Sequence, residues 1–520
     1  MATIGKNILD NLTTGMYSDS KVIFREYIQN GCDQIDQALR QGLLDADDAL
    51  VDIFIDSKKR YISIRDNATG VSSQNFEQQL GDIANSDKKI GQDKGFRGIG
   101  RLCGLAYCKT LKFTTSFKGE DIASIMICDA HKMRQMLIEN VKYTIDDILA
   151  KIVRFETKTD EVSSHYFEVE LIDINNENTD LLDTKKVKEY LSFVAPVAYK
   201  NTFILRNQIY NYAKKLDYNI DEYTVKINGE QIFKEYKTSL YENSETNLKK
   251  YDEISRLEFR DLYSNDGTLL AWMWVGLSRF EKSIPKINTM RGLRLRQGNI
   301  QIGNDDAVQD LFKENRGNYY FVGEIFAVDK LLIPNSQRNY FNENETRVLL
   351  EDSLRTYLYD VLHKLYYDAN RLKNAYKKQE DYLAKVSEFN DKKMNNSFID
   401  DEAKQKLQYE IEKAKQNAED AVKQLQKMDV VDETAPISEV YKSISRKFNG
   451  SALKKKVELA VPNNNEAECE KKKSPYMTSS LSRLSKSERK IVSQIYSIIT
   501  DIAPKDMSEK IINRIQEELR

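Results

Sequence analysis

The sequence predicts an α+β protein: two successive regions of mixed strand and helix, then a long helical segment. Three observations predict it. Residues 1 to about 240 alternate strand and helix patterns. Residues 245–345 hold more strands, "LLAWMWVGL", "GLRLRQGNIQI" and "YYFVGEIFAVD", which read as a second α/β domain. From Asn342 to about Met428, Lys, Glu, Gln, Leu and Tyr recur as in long helices, interrupted at "NNSFIDDEA" (395–403).

Each element has its own signature. Period-2 strands lie at "LVDIFID" (50–56), "RYISIRD" (60–66), "KTLKFTTSF" (109–117) and "HYFEVELIDI" (165–174). The expected organisation is a first domain at 1–240, a second at 245–345 and a coiled-coil-like pair of helices at 346–428. A linker is expected at 429–475, where periodicity fades, and C-terminal helices at 476–520, broken near Pro504.

Composition narrows the functional classes. The 520 residues suit roughly three domains at about 150 residues each. A net charge of −2 gives no global field toward nucleic acid or membrane. The most apolar stretch, at 269–277, is too short to span a bilayer. The N-terminus has no apolar core of signal type, and an odd set of five cysteines suggests reduced thiols, so the expected location is the cytoplasm. With three histidines, a histidine-based metal site is not expected.

Three constellations carry chemistry. In "REYIQNGCDQID" (25–36), Glu26, Asn30 and Asp33 fall within about 60° on a helix, opposite Phe24, Ile28 and Ile35. The polar stripe is either a solvated face or a ligand face, in which Asn30 offers an amide oxygen to Mg²⁺ and Glu26 deprotonates a water. In "YISIRDNATGVS" (61–72), Ile62, Ile64 and Asp66 share one strand face, matched by Val51, Ile53 and Ile55 on the strand before. Asp66 either caps the following turn or accepts a hydrogen bond from the exocyclic amine of adenine, with Gly70 giving space beside the base. In "DKGFRGIGRLCGLAYC" (93–108), Gly95, Gly98 and Gly100 precede an expected apolar helix, and Lys94, Arg97 and Arg101 lie nearby. This is either a flexible loop or a phosphate cradle.

Taken together, E-x-x-x-N-x-x-D, D-x-x-x-G and G-x-x-G-x-G within 75 residues resemble the GHKL ATPases: gyrase, the 90-kDa heat-shock chaperones, histidine kinases and MutL. "EYIQNGCDQID" resembles the chaperone helix motif, and "GFRGIG" resembles the MutL glycine loop. The resemblance implies a Bergerat-type α/β sandwich that binds Mg-ATP. It implies Glu26 as general base, Asn30 as Mg²⁺ ligand and Asp33 as a pocket residue. Asp66 and Gly70 would meet adenine, and Lys94, Gly95, Arg97, Gly98 and Gly100 the phosphates. Two departures stand out. Ala68 replaces a family glycine, and the family's Gly-Thr, expected near 165–174, is missing, with Ser164 and Thr202 as rival substitutes.

"FVGEIFAVDKLLIPNSQRNYF" (321–341) resembles the middle domain of the heat-shock chaperones. Asn335 and Arg338 match an Asn and an Arg whose guanidinium reaches the γ-phosphate. The basic stretch at 285–299 offers Lys286, Arg291, Arg294 or Arg296 as further phosphate sensors. The implied function is an ATPase acting as a homodimeric, ATP-gated clamp on a protein client. The alternatives are a MutL- or microrchidia-like ATPase on DNA, with a role in bacterial defence, and a low-turnover nucleotide-gated scaffold.

Overall fold

The structure, a computed structural model, describes residues 5–13, 19–81, 100–243, 247–426, 436–449, 492, 495, 496, 499 and 505–519. The chain divides into two compact units, Met1–His363 and Lys364–Arg520.

The first unit holds two sheets. Strands β1 (Leu50–Asp56), β2 (Tyr61–Asp66), β3 (Cys108–Ser116), β4 (Ile122–Asp129), β5 (Val153–Thr159), β6 (Tyr166–Ile174), β7 (Thr224–Ile227) and β8 (Glu230–Gln231) form the larger one. Their order is β5-β4-β3-β6-β2-β1-β7-β8, antiparallel except where β1 meets β7. Val51, Ile53 and Ile55 pair in register with Asp66, Ile64 and Ile62, so the row expected from alternation is the row that faces inward. Helices α1 (Asn7–Thr13), α2 (Val22–Arg40), α3 (Ser73–Gly81), α4 (Ala130–Ile138), α5 (Ile145–Ile152) and α6 (Thr184–Val194) supply the other half of this core. Phe24, Ile28 and Ile35 of α2 pack there with Phe113 of β3 and Leu171 of β6. Local chemistry sets the helix starts: α5 opens on a capping box, in which Thr144 and Asp147 each satisfy the other's backbone N–H. The edge strand β5 is largely exposed, and Arg154, Glu156 and Lys158 discourage further pairing.

After α7 (Arg206–Lys215), a hairpin of β9 (Ser239–Asn243) and β10 (Leu248–Glu253) leads to the second sheet. It contains β11 (Arg256–Tyr263), β12 (Leu269–Leu277), β13 (Gly292–Gln297), β14 (Ile300–Ile302) and β15 (Val322–Ala327), in the order β11-β12-β15-β13-β14. The run "LLAWMWVGL" lies inside this sheet and is buried from Leu270 on, as a strand covered on both faces must be. Trp272 stacks on Phe326 with ring centroids 4.4 Å apart. Helix α8 (Glu345–Tyr357) packs over β11 and β12.

The two sheets are joined by a buried ionic cluster. Glu324 of β15 is fully buried and accepts from Lys234 at 3.1 Å, from Tyr236 at 3.0 Å, and from Arg296 and Tyr199. Lys234 also donates to Asn299 at 2.6 Å, and Arg296 to the Phe193 carbonyl of α6 at 2.7 Å. Lys234, Tyr199 and Tyr236 belong to chain flanking the first sheet, whereas Glu324 and Arg296 belong to the second.

The second unit begins in α9 (His363–Met394), which turns back into α10 (Asp401–Gln426). Lys385 reaches Glu410 at 3.1 Å, and Phe389 meets Phe398. The two helices are therefore antiparallel neighbours around the interruption at 395–400. Tyr376 of α9 stacks on Phe448 of α11 (Pro436–Asn449). In the C-terminal segment, Val492, Tyr496 and Ile512, the last on α12 (Lys505–Leu519), pack together.

Two elements differ from expectation. The stretch after the glycines is a seven-residue 3₁₀ turn, Gly100–Ala106, and not a longer helix. Gly104 sits inside it so close to α2 and β3 that an added Cβ would lie 2.6 Å from the Tyr27 hydroxyl and 2.8 Å from Leu111. The expected linker contains α11, whose Val440 and Ile444 are buried at helical spacing. Among the described residues no helix is long and apolar enough to cross a membrane.

Burial alone would raise the Glu324 carboxyl, but Arg296 and Lys234 outweigh it and hold the group below its ordinary 4.5, at about 2. The unfolded chain therefore binds this proton more readily than the folded one. The contribution is complete above pH 4.5 and is lost as pH falls toward 2. Glu324→Gln should lower unfolding free energy by about 3–5 kcal/mol in denaturant titrations at neutral pH. It should also remove this component of the acid dependence.

Candidate active site

Helix α2 presents the polar stripe, and the stripe is not a solvated face. Glu26, Gln29 and Asp33 are all buried, and Asn30 is half-buried. A buried polar stripe opposite a buried apolar one requires close neighbours on both sides of the helix. Glycines provide the closeness. At Gly31 an added Cβ would sit 3.3 Å from Val51 and 3.4 Å from the Asp66 carboxylate. The helix therefore lies directly against the end of β2. At Gly100 an added Cβ would stand 2.5 Å from Glu26 Oε2, which brings the end of the glycine loop onto the carboxylate. Tyr27 fastens the 3₁₀ turn that follows: its hydroxyl donates to the Arg101 carbonyl at 2.9 Å and accepts from Gly104 N–H at 3.1 Å.

Glu26 meets two guanidinium groups. Arg25 lies 3.4 Å away and Arg338, from the loop after β15, 3.6 Å away. The Arg25 side chain also donates to the Gln337 carbonyl at 3.3 Å, so the second-sheet loop closes over the start of α2. Arg338 adopts a left-handed backbone, φ +53°, which a non-glycine residue keeps only where its surroundings impose it.

For Asp66 the structure shows the first of the two sequence readings. Its side chain is buried beside α2, and its Oδ1 accepts from the Ala68 N–H at 3.1 Å, which is the turn-capping bond. Gly70 has φ +66°, and a Cβ there would fall 1.9 Å from the Ser116 carbonyl oxygen. Only glycine fits. Ala68 is fully buried, and its carbonyl meets His165 Nδ1 at 2.8 Å.

The missing family hydroxyl is not replaced by either rival. Ser164 turns to Asp160, and Thr202 is exposed in the connection after α6. In register beside Asp66 stands Phe167 of β6, and beside that Thr115 of β3. Thr115 is a buried hydroxyl that sequence reading did not single out. It accepts from Val71 N–H at 2.9 Å and donates to the Tyr166 carbonyl at 2.8 Å, fastening the loop that contains Gly70. Its signal lay in the inward row Leu111, Phe113, Thr115 of β3.

Lys94, Gly95, Arg97 and Gly98 lie outside the described residues. Arg101 is bound to the Gln79 carbonyl of α3. Two of the four sensors proposed in 285–299, Arg294 and Arg296, are corrected by burial. Arg296 is inside the Glu324 cluster, and Arg294 is buried against Gln301 at 2.9 Å. Arg291 pairs with Asp305 at 3.5 Å, and Lys286 is exposed.

Gln29 and Arg25 were also missed. Both amide atoms of Gln29, and Arg25 Nε, are buried without a hydrogen-bond partner among the described residues. Gln29 is one helical turn from Glu26 and from Asp33, on the same stripe. Orphaned polar atoms of this kind call for a polar ligand or water.

Residues 26–166 match the family model described as "Histidine kinase-, DNA gyrase B-, and HSP90-like ATPase". The chain is 30% identical over 134 residues to the chaperone protein HtpG of Bacillus licheniformis, covering 23% of this chain and 21% of that protein. It is 38% identical over 87 residues to HtpG of Coxiella burnetii, covering 16% and 14%. The HtpG of Natranaerobius thermophilus is 32% identical over 87 residues, with the same shares. The matched stretch thus spans about a fifth or less of these curated relatives. Motif order, the helix-covered antiparallel sheet and the family match agree that residues 26–166 form a domain of the GHKL ATPase superfamily.

Proposed function

We propose that this protein binds and hydrolyses Mg-ATP on the stripe of α2 and works as an ATP-gated homodimeric clamp on a protein client. The observation that carries the reading is the meeting of Glu26 with Arg338. It unites a buried base on α2 with a cation from the loop after β15 at one place.

In this reading Glu26 holds the attacking water and takes its proton. Before nucleotide enters, Arg25 and Arg338 both lie within ion-pair distance of the Glu26 carboxylate. On nucleotide binding Arg338 turns to the γ-phosphate, where it stabilises the transferring phosphoryl group and frees Glu26 to face the water. Asn30 would hold Mg²⁺ through its amide oxygen, and the ion would neutralise phosphate charge. Among the described residues no group of three His, Cys, Asp or Glu side chains gathers around a metal position. The remaining ligands would be water and phosphate oxygens, as Mg²⁺ commonly keeps. Asp33 lines the pocket, Asp66 receives the adenine amine and Gly70 leaves room for the base. Lys94, Gly95, Arg97, Gly98 and Gly100 wrap the phosphates.

The client assignment is supported by the chaperone name of the HtpG relatives. A second reading, a nucleotide-gated scaffold with little turnover, is favoured by Phe167 beside Asp66 and by the buried methyl of Ala68. Both alter the floor of the pocket without touching Glu26.

Steady-state hydrolysis and nucleotide binding separate these readings. Glu26→Ala should bind ATP and lose roughly 10²–10⁴-fold in kcat. Arg338→Ala should lose roughly 10²–10³-fold in kcat while retaining nucleotide. Equal, near-zero turnover in wild type and both variants, with binding intact, would instead establish the scaffold. Gly70→Ala should abolish ATP binding in calorimetry, because its Cβ cannot be placed without moving β3.

A further inference from the structure

The aim of Arg338 depends on a contact far from α2 in sequence. Residues 335–338 form a tight turn: Arg338 N–H donates to the Asn335 carbonyl at 3.0 Å, and Asn339 N–H to Asn335 Oδ1 at 3.2 Å. Its flanks meet in a bridge between Pro334 and Phe341. The turn carries Arg338 in the left-handed conformation, which its own sequence does not favour. From the second sheet, Gly303 N–H donates to the Arg338 carbonyl at 2.8 Å.

Gly303 follows β14 and has φ +66°. A Cβ there would stand 2.5 Å from the Asn339 carbonyl oxygen and 2.9 Å from the Ala307 methyl. Any side chain would therefore push the turn away. Gly303 is itself anchored: its carbonyl accepts from Gln301 Nε2 at 2.9 Å, and Gln301 Oε1 accepts from Arg294 at 2.9 Å. Gln301 and Arg294 are both buried. Arg294 lies over the Phe193 ring of α6 at 4.3 Å. The backbone that presents the guanidinium is thus tied through Gly303 and Gln301 to the core of the second sheet.

We propose that Gly303 is a positioning residue for Arg338: it locks the left-handed turn and so directs the guanidinium onto the phosphate site beside Glu26. The proposal rests on the ATPase reading for its kinetic consequence, but the brace itself has a readout that does not. Gly303→Ala is the main variant. Gln301→Met is the milder one, since it keeps volume and removes the amide that anchors Gly303.

The test uses the full chain, with amide hydrogen exchange of residues 335–341, Mg-ATP kinetics and binding of a non-hydrolysable ATP analogue. Gly303→Ala should speed exchange across 335–341 and reduce kcat by roughly tenfold to a hundredfold, the scale of a small misplacement. Analogue affinity should stay within about twofold, as a loss confined to the transition state requires. In an Arg338→Ala background the added effect of Gly303→Ala on kcat should vanish. If Gly303→Ala does not fold, Gln301→Met should show the same pattern at smaller size. Unchanged exchange in the turn overturns the brace. So does a loss of kcat that multiplies with that of Arg338→Ala, because it marks general damage. If exchange rises as expected but Arg338→Ala hydrolyses ATP like wild type, the brace stands and the role of Arg338 in hydrolysis fails.

Discussion

The buried carboxylate of Glu324 is the constraint on which the first unit depends. A fully buried anion is tolerable only with cations and hydrogen-bond donors fixed around it. Here the donors come from the second sheet and from chain flanking the first, so satisfying one side chain requires both to be in place. The strand that carries Glu324 leads directly into the loop that carries Arg338. The position of a guanidinium beside α2 is therefore inherited from an ionic cluster in the interior. Apolar burial could hold the sheets together, but it is non-directional and sets no register.

Around α2 the constraint is of the opposite kind and works by missing atoms. An added methyl group would meet close neighbours at Gly31, Gly70 and Gly100: a tight contact at Gly31, the end of the Glu26 side chain at Gly100, and an outright collision with backbone at Gly70. Each contact involves a part of the candidate site: the Asp66 carboxylate, the backbone of β3 or the Glu26 carboxylate. The site is thus assembled by backbone contact at three points. The side chains that remain are held at short range and largely out of water, where their charges interact more strongly than at the surface.

Much of this was legible in the sequence. Period-2 alternation located β1, β2, β3 and β6, because each sends an alternating apolar row into the core. The order and spacing of Glu26, Asn30, Asp33, Asp66 and Gly70 pointed to the α2 stripe and the end of β2. What escaped was information that spacing does not carry. Thr115 is an ordinary inward residue until the register of β3 with β6 sets it next to Phe167. Gln29 looked like one more polar helix residue, since spacing alone does not show that both faces of α2 are buried. Arg294 and Arg296 read as candidate phosphate sensors because their partners, Gln301 and Glu324, are brought close only by the pairing of β13 with β14 and β15. The helix α11 was hidden in a polar stretch whose apolar positions are few.

The left-handed backbone of Arg338 has a further consequence. Such a conformation costs a non-glycine residue on the order of 1–3 kcal/mol. A glycine at that position would relax the turn and make the fold more stable, at the loss of the guanidinium. Local stability and the placement of charge therefore pull in opposite directions at this one residue, a trade-off between a robust fold and a working site. The surplus stability that tolerates it resides elsewhere, in the packed interior of the two sheets.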